Sequence, residues 1–272
     1  MTRRTNAAWM VFAALGFVLL LELVLPLLNL LGQVRWMEIR EALEDAGTRD
    51  AIRVSLETSL VSTALMTLLG VPLACVLARA PRIWRRIGMG LILLPLVMPP
   101  LVGGVLLLLL FGPYGLLGRL FAAAGIALTG NFAGIVLSQI FAAGPFVVVA
   151  SYSAFRGLNP RLEQAAALLG DSAWETFRRI SLPLAWPGIA AGIALGWIRA
   201  LGEFGATLVM AYSPHTVPIY LWVQFQAEGL RGAFPLALFL LATAVAALGA
   251  AYLVERLAGD EFRGVLRGAA AK

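Results

Sequence analysis

The sequence predicts an all-α protein, a polytopic membrane helix bundle of about six transmembrane helices with both termini in the cytoplasm. Of the 272 residues, 60% are hydrophobic and only 13% are charged, and the mean hydropathy is +0.87. A soluble domain carries roughly 25% charged residues, so this chain lacks the polar surface that a water-facing globule needs. We therefore expect one membrane domain over residues 1–272.

Six apolar segments reach the length of about 20 residues that a helix needs to cross a bilayer. The first is interpreted as a retained span, because its apolar run exceeds the roughly 7–15 residues of a signal-peptide core; a signal anchor is the alternative. The third carries Pro95, Pro99 and Pro100, which predict a kink or a short unwound stretch. The predicted spans are residues 8–29, 54–78, 88–111, 132–155, 187–210 and 235–255.

Basic residues are divided unevenly between the connecting segments. With the N-terminus in the cytoplasm, 14 of the 21 Lys and Arg residues fall inside, six fall outside, and Arg199 lies within a span. Because Lys and Arg accumulate in cytoplasmic loops, this orientation is favoured, in the inner or plasma membrane. Nucleic acid is not expected as a partner, since the basic residues flank lipid-facing spans and do not gather on one polar face.

The sequence contains few residues of the types that form disulfides, bind metals or bind nucleotides. The single cysteine, Cys75, excludes an internal disulfide, and the single histidine, His215, is expected in an exposed loop rather than in a metal site. A phosphate-binding P-loop needs a lysine after its glycines, and the only lysine is Lys272. The chain is thus predicted not to be an enzyme. A secondary transporter that works alone is the alternative. Such a protein would use acidic residues within the membrane for ion coupling, and Glu203 is the one acid assigned to that role.

The cytoplasmic loop over residues 156–186 has the pattern of two short helices joined at Gly170. Ser172 and Glu175 fit the S-x-x-E capping box that begins a helix. Pro183 and Pro187 are expected to end that second helix before the next span. Two rigid helices beneath the membrane would make a lever on which another protein can act, although an ordinary amphipathic hairpin would have a similar pattern.

This loop resembles the EAA loop of bacterial binding-protein-dependent ABC import permeases. It has the two alanines, the glycine four residues beyond them and the I-x-L-P tail, whereas Gln164 stands at the glutamate position and the acid is displaced to Glu163. The resemblance implies the type I ABC importer permease fold and a loop held in a groove of a cytoplasmic ATPase. The coupling residues that it implies are Glu163, Gln164, Ala165, Ala166, Gly170, Asp171, Ile180, Leu182 and Pro183.

The same resemblance implies the partners. These are two cytoplasmic ABC ATPase subunits that bind ATP and magnesium, an extracytoplasmic solute-binding protein, and a second permease copy surrounded by membrane lipid. No cofactor is expected in this chain itself. The second copy is identical in molybdate-type systems and a related chain in sulfate-type systems, and the homodimer is preferred.

Two spans are similar to those of the molybdate and sulfate permeases. The third span contains the string from Leu94 to Pro100 followed by two glycines, and the fifth contains the string from Arg199 to Thr207. The second string is most similar to molybdate- and tungstate-type permeases, which implies import of a small oxyanion. Sulfate or thiosulfate, or another solute, remains the alternative. The translocation pathway or gate is assigned to Pro99, Pro100, Arg199, Glu203, Phe204 and Thr207.

Arg199 and Glu203 lie four residues apart on one helical face. A salt bridge between them would relieve the cost of two charges at membrane depth; alternatively, Arg199 favours an anion in the pathway or changes partner during transport. Gly188, Gly192 and Gly196 form a stripe of small residues that predicts close helix packing.

Two outer segments are distinctive. Residues 30–53 mix acidic and basic residues, which favours a solvated amphipathic stretch over a docking surface. Residues 213–231 are too apolar for a free loop, and we expect them to fold back at the outer surface as part of a gate.

Overall fold

Most of the described chain is helical in the computed structural model, which describes the backbone of residues 2–33 and 35–270 and the side chains of residues 9–33, 35–250 and 252–253. No strand occurs in these ranges, and the all-α prediction is confirmed. The helices are α1 (Thr2–Gln33), α2 (Trp36–Glu44), α3 (Ala46–Arg79), α4 (Arg82–Val97), α5 (Pro100–Phe111), α6 (Leu116–Ala123), α7 (Phe132–Arg156), α8 (Pro160–Leu168), α9 (Ala173–Thr176), α10 (Leu182–Leu201), α11 (Gly205–Met210), α12 (Val217–Glu228) and α13 (Leu230–Ala270).

Five helical stretches within the described ranges are long and apolar enough to cross a membrane: α1, α3, α7, α13 and the continuous helix from Ala173 to Leu201. The pair α4 and α5 meets the same criteria when taken together but is bent by 113° at the break between them, so it makes a sixth crossing if it counts as one broken span rather than a re-entrant loop. The count agrees with the prediction of about six. The break falls at Met98 and Pro99, where both residues are extended, as the prolines predict.

The core of the bundle is α7, which packs between α3 and α10. Ala143 and Val147 of α7 have no exposed surface, and Gly70 of α3 lets Val148 approach closely. Hydrogen bonds add to this packing: Gln139 of α7 accepts one from Ser62 at 2.9 Å and donates one to Thr58 at 3.1 Å. Side-chain hydrogen bonds of this kind hold helices together where lipid supplies no hydrophobic force between them.

Two sequence-based boundaries were wrong. The fifth predicted span, residues 187–210, is interrupted, because α10 ends at Leu201 and α11 begins at Gly205. Pro183 and Pro187 do not end the second helix of the cytoplasmic hairpin. A π-helical segment, Phe177–Ser181, joins α9 to α10 and bonds Leu182 N–H to Phe177 O, five residues back. This wider turn accommodates the proline that follows, so the helix continues.

Candidate functional site

The hairpin predicted to lie in the cytoplasm, which we define as residues 160–181, consists of α8, a glycine turn, α9 and the π-helical segment. Gly170 lies in the turn with φ of +95°, a region that residues with a Cβ rarely adopt. Ser172 caps α9: its hydroxyl accepts from Glu175 N–H at 3.3 Å, and its own N–H donates to Glu175 Oε2 at 2.9 Å. The capping box read from the sequence is present, and it makes the turn rigid.

The hairpin is fastened to the end of α3 by three polar side chains. Glu163 accepts hydrogen bonds from Arg79 and, at 2.6 Å, from the hydroxyl of Ser181. Arg79 also donates to Ser181 at 3.2 Å. Glu163, the acid displaced from the glutamate position of the EAA pattern, therefore forms hydrogen bonds to side chains of this same chain. The sequence did not indicate this contact, because Arg79 and Glu163 are 84 residues apart.

The tip of the hairpin exposes apolar side chains. Leu168, Leu169 and Trp174 are 89%, 88% and 67% exposed, although they lie beside a charged and polar loop. Sequence reasoning missed these three as site residues; the signal was a Leu-Leu pair immediately before the turn glycine. Exposed apolar side chains grouped at a tip are typical of surfaces that bind another protein or a membrane.

The other residues assigned to coupling lie in the hairpin and at the start of α10, and they differ in exposure. Ala166 is buried at 4% exposure, and Asp171 pairs with Arg179 at 3.3 Å. The exposed members are Gln164, Ala165 and Pro183, and the half-buried ones are Ile180 and Leu182.

A second candidate site lies where two interrupted helices meet. Gly205 at the start of α11 lies against α5, so that a Cβ on it would approach the Pro100 Cβ to 2.6 Å. Beside this contact is a cavity of about 270 Å³. Three of the residues assigned to the pathway line it together, namely Pro99, Pro100 and Arg199. Phe204 instead lies 6.1 Å from the ring of Trp222, and Thr207 is fully buried.

Arg199 and Glu203 form an ion pair, with Arg199 Nη1 2.5 Å from Glu203 Oε2. The two partners differ in environment: the Arg199 side chain is 31% exposed, whereas that of Glu203 is 1% exposed. Glu203 Oε1 accepts from Ala206 N–H at 2.8 Å, so the same carboxylate caps α11. The break in the fifth span is therefore held by the acid, which sequence reasoning had assigned to the pathway but not to a cap.

The glycine stripe of α10 packs on α7. A Cβ on Gly188 would lie 2.8 Å from the Ala154 Cβ, one on Gly192 2.5 Å from the Ala150 Cβ, and one on Gly196 2.6 Å from a Val147 methyl. The absence of side chains at these three positions is what lets the two backbones approach.

The segment predicted to lie outside, residues 213–231, contains α12, which packs on α3. Val217 N–H donates to Ser55 Oγ at 2.7 Å, and Tyr220 OH donates to Asp45 Oδ2 at 2.8 Å. Hydrogen bonds from Thr48 N–H and Tyr220 lower the pKa of the Asp45 carboxyl. His215 is half-buried beside the ring of Tyr212, with centroids 5.0 Å apart, so its expected exposure was wrong. At about 1.5 Å per residue, the 34 residues of α3 separate this end from the hairpin by about 50 Å.

One intramembrane acid was overlooked in the sequence. Glu22 lies within the apolar run of α1, seven residues before Asn29, and its side chain is exposed. Among the described residues, no group of three His, Cys, Asp or Glu side chains is placed to hold a metal ion.

Comparison with known proteins identifies the family. Residues 70–259 match the family described as binding-protein-dependent transport system inner membrane component. The chain belongs to this family. It is 43% identical over 238 residues to the "probable molybdenum ABC transporter permease protein" of Haloferax volcanii, with 86% of each chain covered. It is 38% identical over 220 residues to the molybdenum transport system permease protein of Mycobacterium tuberculosis, covering 79% of this chain and 83% of the relative.

A further relative is a sulfate transport system permease protein of Synechocystis, which is 30% identical over 258 residues, with 92% of this chain and 94% of the relative covered. In fold, the chain is similar to the bacterial alginate ABC transporter, with a TM-score of 0.72, 17% identity and 94% of this chain and 96% of that chain covered. The resemblance read from the hairpin is therefore confirmed: this is an inner-membrane permease of the ABC importer type.

Proposed function

We propose that the chain is the permease subunit of an ATP-driven importer for a tetrahedral oxyanion, with molybdate or tungstate as the substrate. Coupling to an ATPase is supported by the hairpin 160–181, whose rigid turn presents an apolar tip at one end of the bundle. The substrate is supported by the relatives named for molybdenum transport. Sulfate or thiosulfate is the second candidate, supported by the sulfate permease relative.

The hairpin has the properties that a mechanical coupling element needs. Its apolar tip supplies surface that a cytoplasmic ATPase would bury. The capped turn and the contacts with Arg79 would transmit a displacement of the tip to α3. The continuous helix from Ala173 to Leu201 would transmit it to the cavity. Movement of rigid helices past one another is a common way of switching a binding cavity between two sides.

The remaining parts of the machine would be separate chains. Two ATPase subunits would bind ATP and magnesium, because this sequence contains no P-loop lysine. A solute-binding protein would deliver the oxyanion to the end formed by α2 and α12. A second, identical permease copy would complete the pathway, which would pass the two helix breaks near Pro99, Pro100, Arg199, Glu203, Phe204 and Thr207.

Replacing Gly170 by valine tests the coupling role, because a β-branched residue is strained at φ of +95°. In proteoliposomes that contain the whole transporter, we expect ATP hydrolysis to continue while oxyanion uptake falls at least tenfold. The matched control is Gly125→Val: Gly125 also has positive φ, at +74°, and no neighbour within 4 Å, but it lies in the α6–α7 connection. Normal coupled uptake by Gly170→Val would contradict the lever.

Uptake by the purified permease alone would overturn the proposal, because it would place the chain among secondary transporters. Calorimetry of the cognate solute-binding protein with molybdate, tungstate, sulfate and thiosulfate separates the two substrate candidates. We expect molybdate and tungstate to bind at least tenfold more tightly than sulfate.

A further inference from the structure

The cavity between the two helix breaks is apolar except at one point. Among the described residues that line it, Arg199 is the only charged one; the others are proline, glycine, alanine, leucine, methionine or phenylalanine. Its volume of about 270 Å³ is several times the roughly 30 Å³ that one water occupies in the liquid. There is room for a small polyatomic ion that keeps part of its hydration shell.

Arg199 has hydrogen-bonding capacity to spare. Its guanidinium carries five N–H donors, and one terminal nitrogen, Nη1, meets Glu203. No hydrogen bond from the guanidinium to any other described residue is formed. An ionisable residue at membrane depth that faces the bundle interior or a cavity commonly marks a substrate or ion pathway.

Glu203 is the fixed member of the pair and Arg199 the accessible one. One carboxylate oxygen of Glu203 is occupied by Ala206 N–H at the start of α11, and its side chain is fully enclosed. The Arg199 side chain is 31% exposed and already lines the cavity. An exchange of partners by the arginine would leave the bond from Ala206 N–H to Glu203 in place.

The ends of two helices also line this cavity. Pro100 and Gly103 lie in the first turn of α5, and Pro95 and Leu96 lie in the last turn of α4. The N-terminal end of a helix carries a partial positive charge and the C-terminal end a partial negative one, so the two ends oppose each other. Arg199 is therefore the group that attracts an anion to this space.

We propose that this cavity holds the tetrahedral oxyanion in transit and that Arg199 binds it directly by exchanging the carboxylate of Glu203 for substrate oxygens. A planar guanidinium with parallel donors matches an oxyanion in the same way as it matches a carboxylate. Because Glu203 stays nearby and repels the anion, binding is weak, and a transport path needs a site that an ion enters readily and also leaves. This inference rests on the proposed function of oxyanion import.

The test compares three variants in the assembled transporter: Arg199→Gln, Glu203→Gln and the double variant. Molybdate uptake is measured in proteoliposomes with the solute-binding protein and ATP, per amount of ATPase that copurifies with the permease. The double variant removes both charges together and so leaves no unpaired charge in the bundle. If the pair is only structural, this variant transports within twofold of wild type, and the proposal is overturned. We expect its uptake to fall at least tenfold.

The two single variants give an independent answer if the double variant assembles poorly. Glu203→Gln keeps both Arg199 and an oxygen that can accept from Ala206 N–H, so we expect its uptake to be at least five times that of Arg199→Gln. Equal loss of uptake per assembled transporter in both single variants would overturn the proposal, because an arginine that binds the substrate is still needed when residue 203 is neutral. Failure of the wild-type transporter to import any oxyanion would instead contradict the proposed function.

Discussion

Two membrane helices of this permease are interrupted beside the same cavity, but by different means. The α4–α5 break is made by the backbone: Met98 and Pro99 are extended and Pro100 begins the next helix. The α10–α11 break contains no proline. It consists of Gly202, Glu203 and Phe204, and the Glu203 carboxylate caps α11 while it pairs with Arg199.

The difference shows which kind of helix break can be predicted from the sequence. A proline restricts its own φ and disfavours helix at the residue before it, wherever it occurs. A side-chain cap works only when the acid is buried, paired and close to a free N–H, and those conditions are set by tertiary packing. The first break should therefore tolerate the loss of one residue, whereas the second should depend on a single carboxylate.

Glu203→Ala should give the largest effect. It removes the cap of α11 and leaves Arg199 without its partner, and breaking a buried pair in this way costs about 3–5 kcal/mol. The matched control is Glu57→Ala, which breaks the Arg53–Glu57 pair with the same four-residue spacing but with side chains 74% and 49% exposed; such pairs contribute about 0–1 kcal/mol. Thermal unfolding of the purified protein in detergent measures both. Equal losses of unfolding temperature in the two variants would contradict the view that the α10–α11 break depends on the Glu203 carboxylate.

The sequence predicts much of the bundle because its strongest signals are local. Apolar length gives the crossings, the prolines give the α4–α5 bend, and the spacing around Gly170 gives the hairpin turn. Contacts between distant residues are not visible in this way. The bond from Arg79 to Glu163 appears only when the helices are packed. The cap from Glu203 to Ala206 is local but depends on the burial of the carboxylate, and the π-helical segment before Pro183 has no simple residue signature.

The candidate site was predicted in the same uneven way. Charge in an apolar run singled out Arg199 and Glu203, yet their unequal burial and the cavity beside them depend on how α5 and α11 cross. Glu22 was overlooked although it stands out by the same rule of charge in an apolar run. The exposed leucines at the hairpin tip were missed because apolar residues in a membrane protein are ordinary until their surroundings are known.

Gly205→Ala should have an intermediate effect, since it tests the contact between the two breaks. The added methyl would lie 2.6 Å from the Pro100 Cβ and 3.1 Å from the Leu101 nitrogen, both in α5, whose backbone cannot yield as a flexible side chain does. Overpacking of this kind costs about 1–3 kcal/mol. Gly90→Ala in α4 is the control: no atom lies within 4 Å, and alanine favours a helix by roughly 0.5–1 kcal/mol. We expect the unfolding temperature to fall in Gly205→Ala and to rise in Gly90→Ala. A decrease of the same size in both variants would contradict the close contact between Gly205 and α5.

Pro99→Ala should have the smallest effect. Alanine can adopt the extended conformation of residue 99, so the loss is that of proline's restriction of the unfolded chain, about 0.4–1 kcal/mol. Pro81→Ala, at the equivalent position before α4 with nearly the same φ, should cost as much. The bend should persist in Pro99→Ala because Pro100 still disfavours helix at residue 99, and should be lost only when both prolines are replaced. Spin-label distances between α4 and α5, measured with Cys75 replaced by serine, distinguish these outcomes. A straightened helix in the single variant would mean that this break, like the other, depends on one residue.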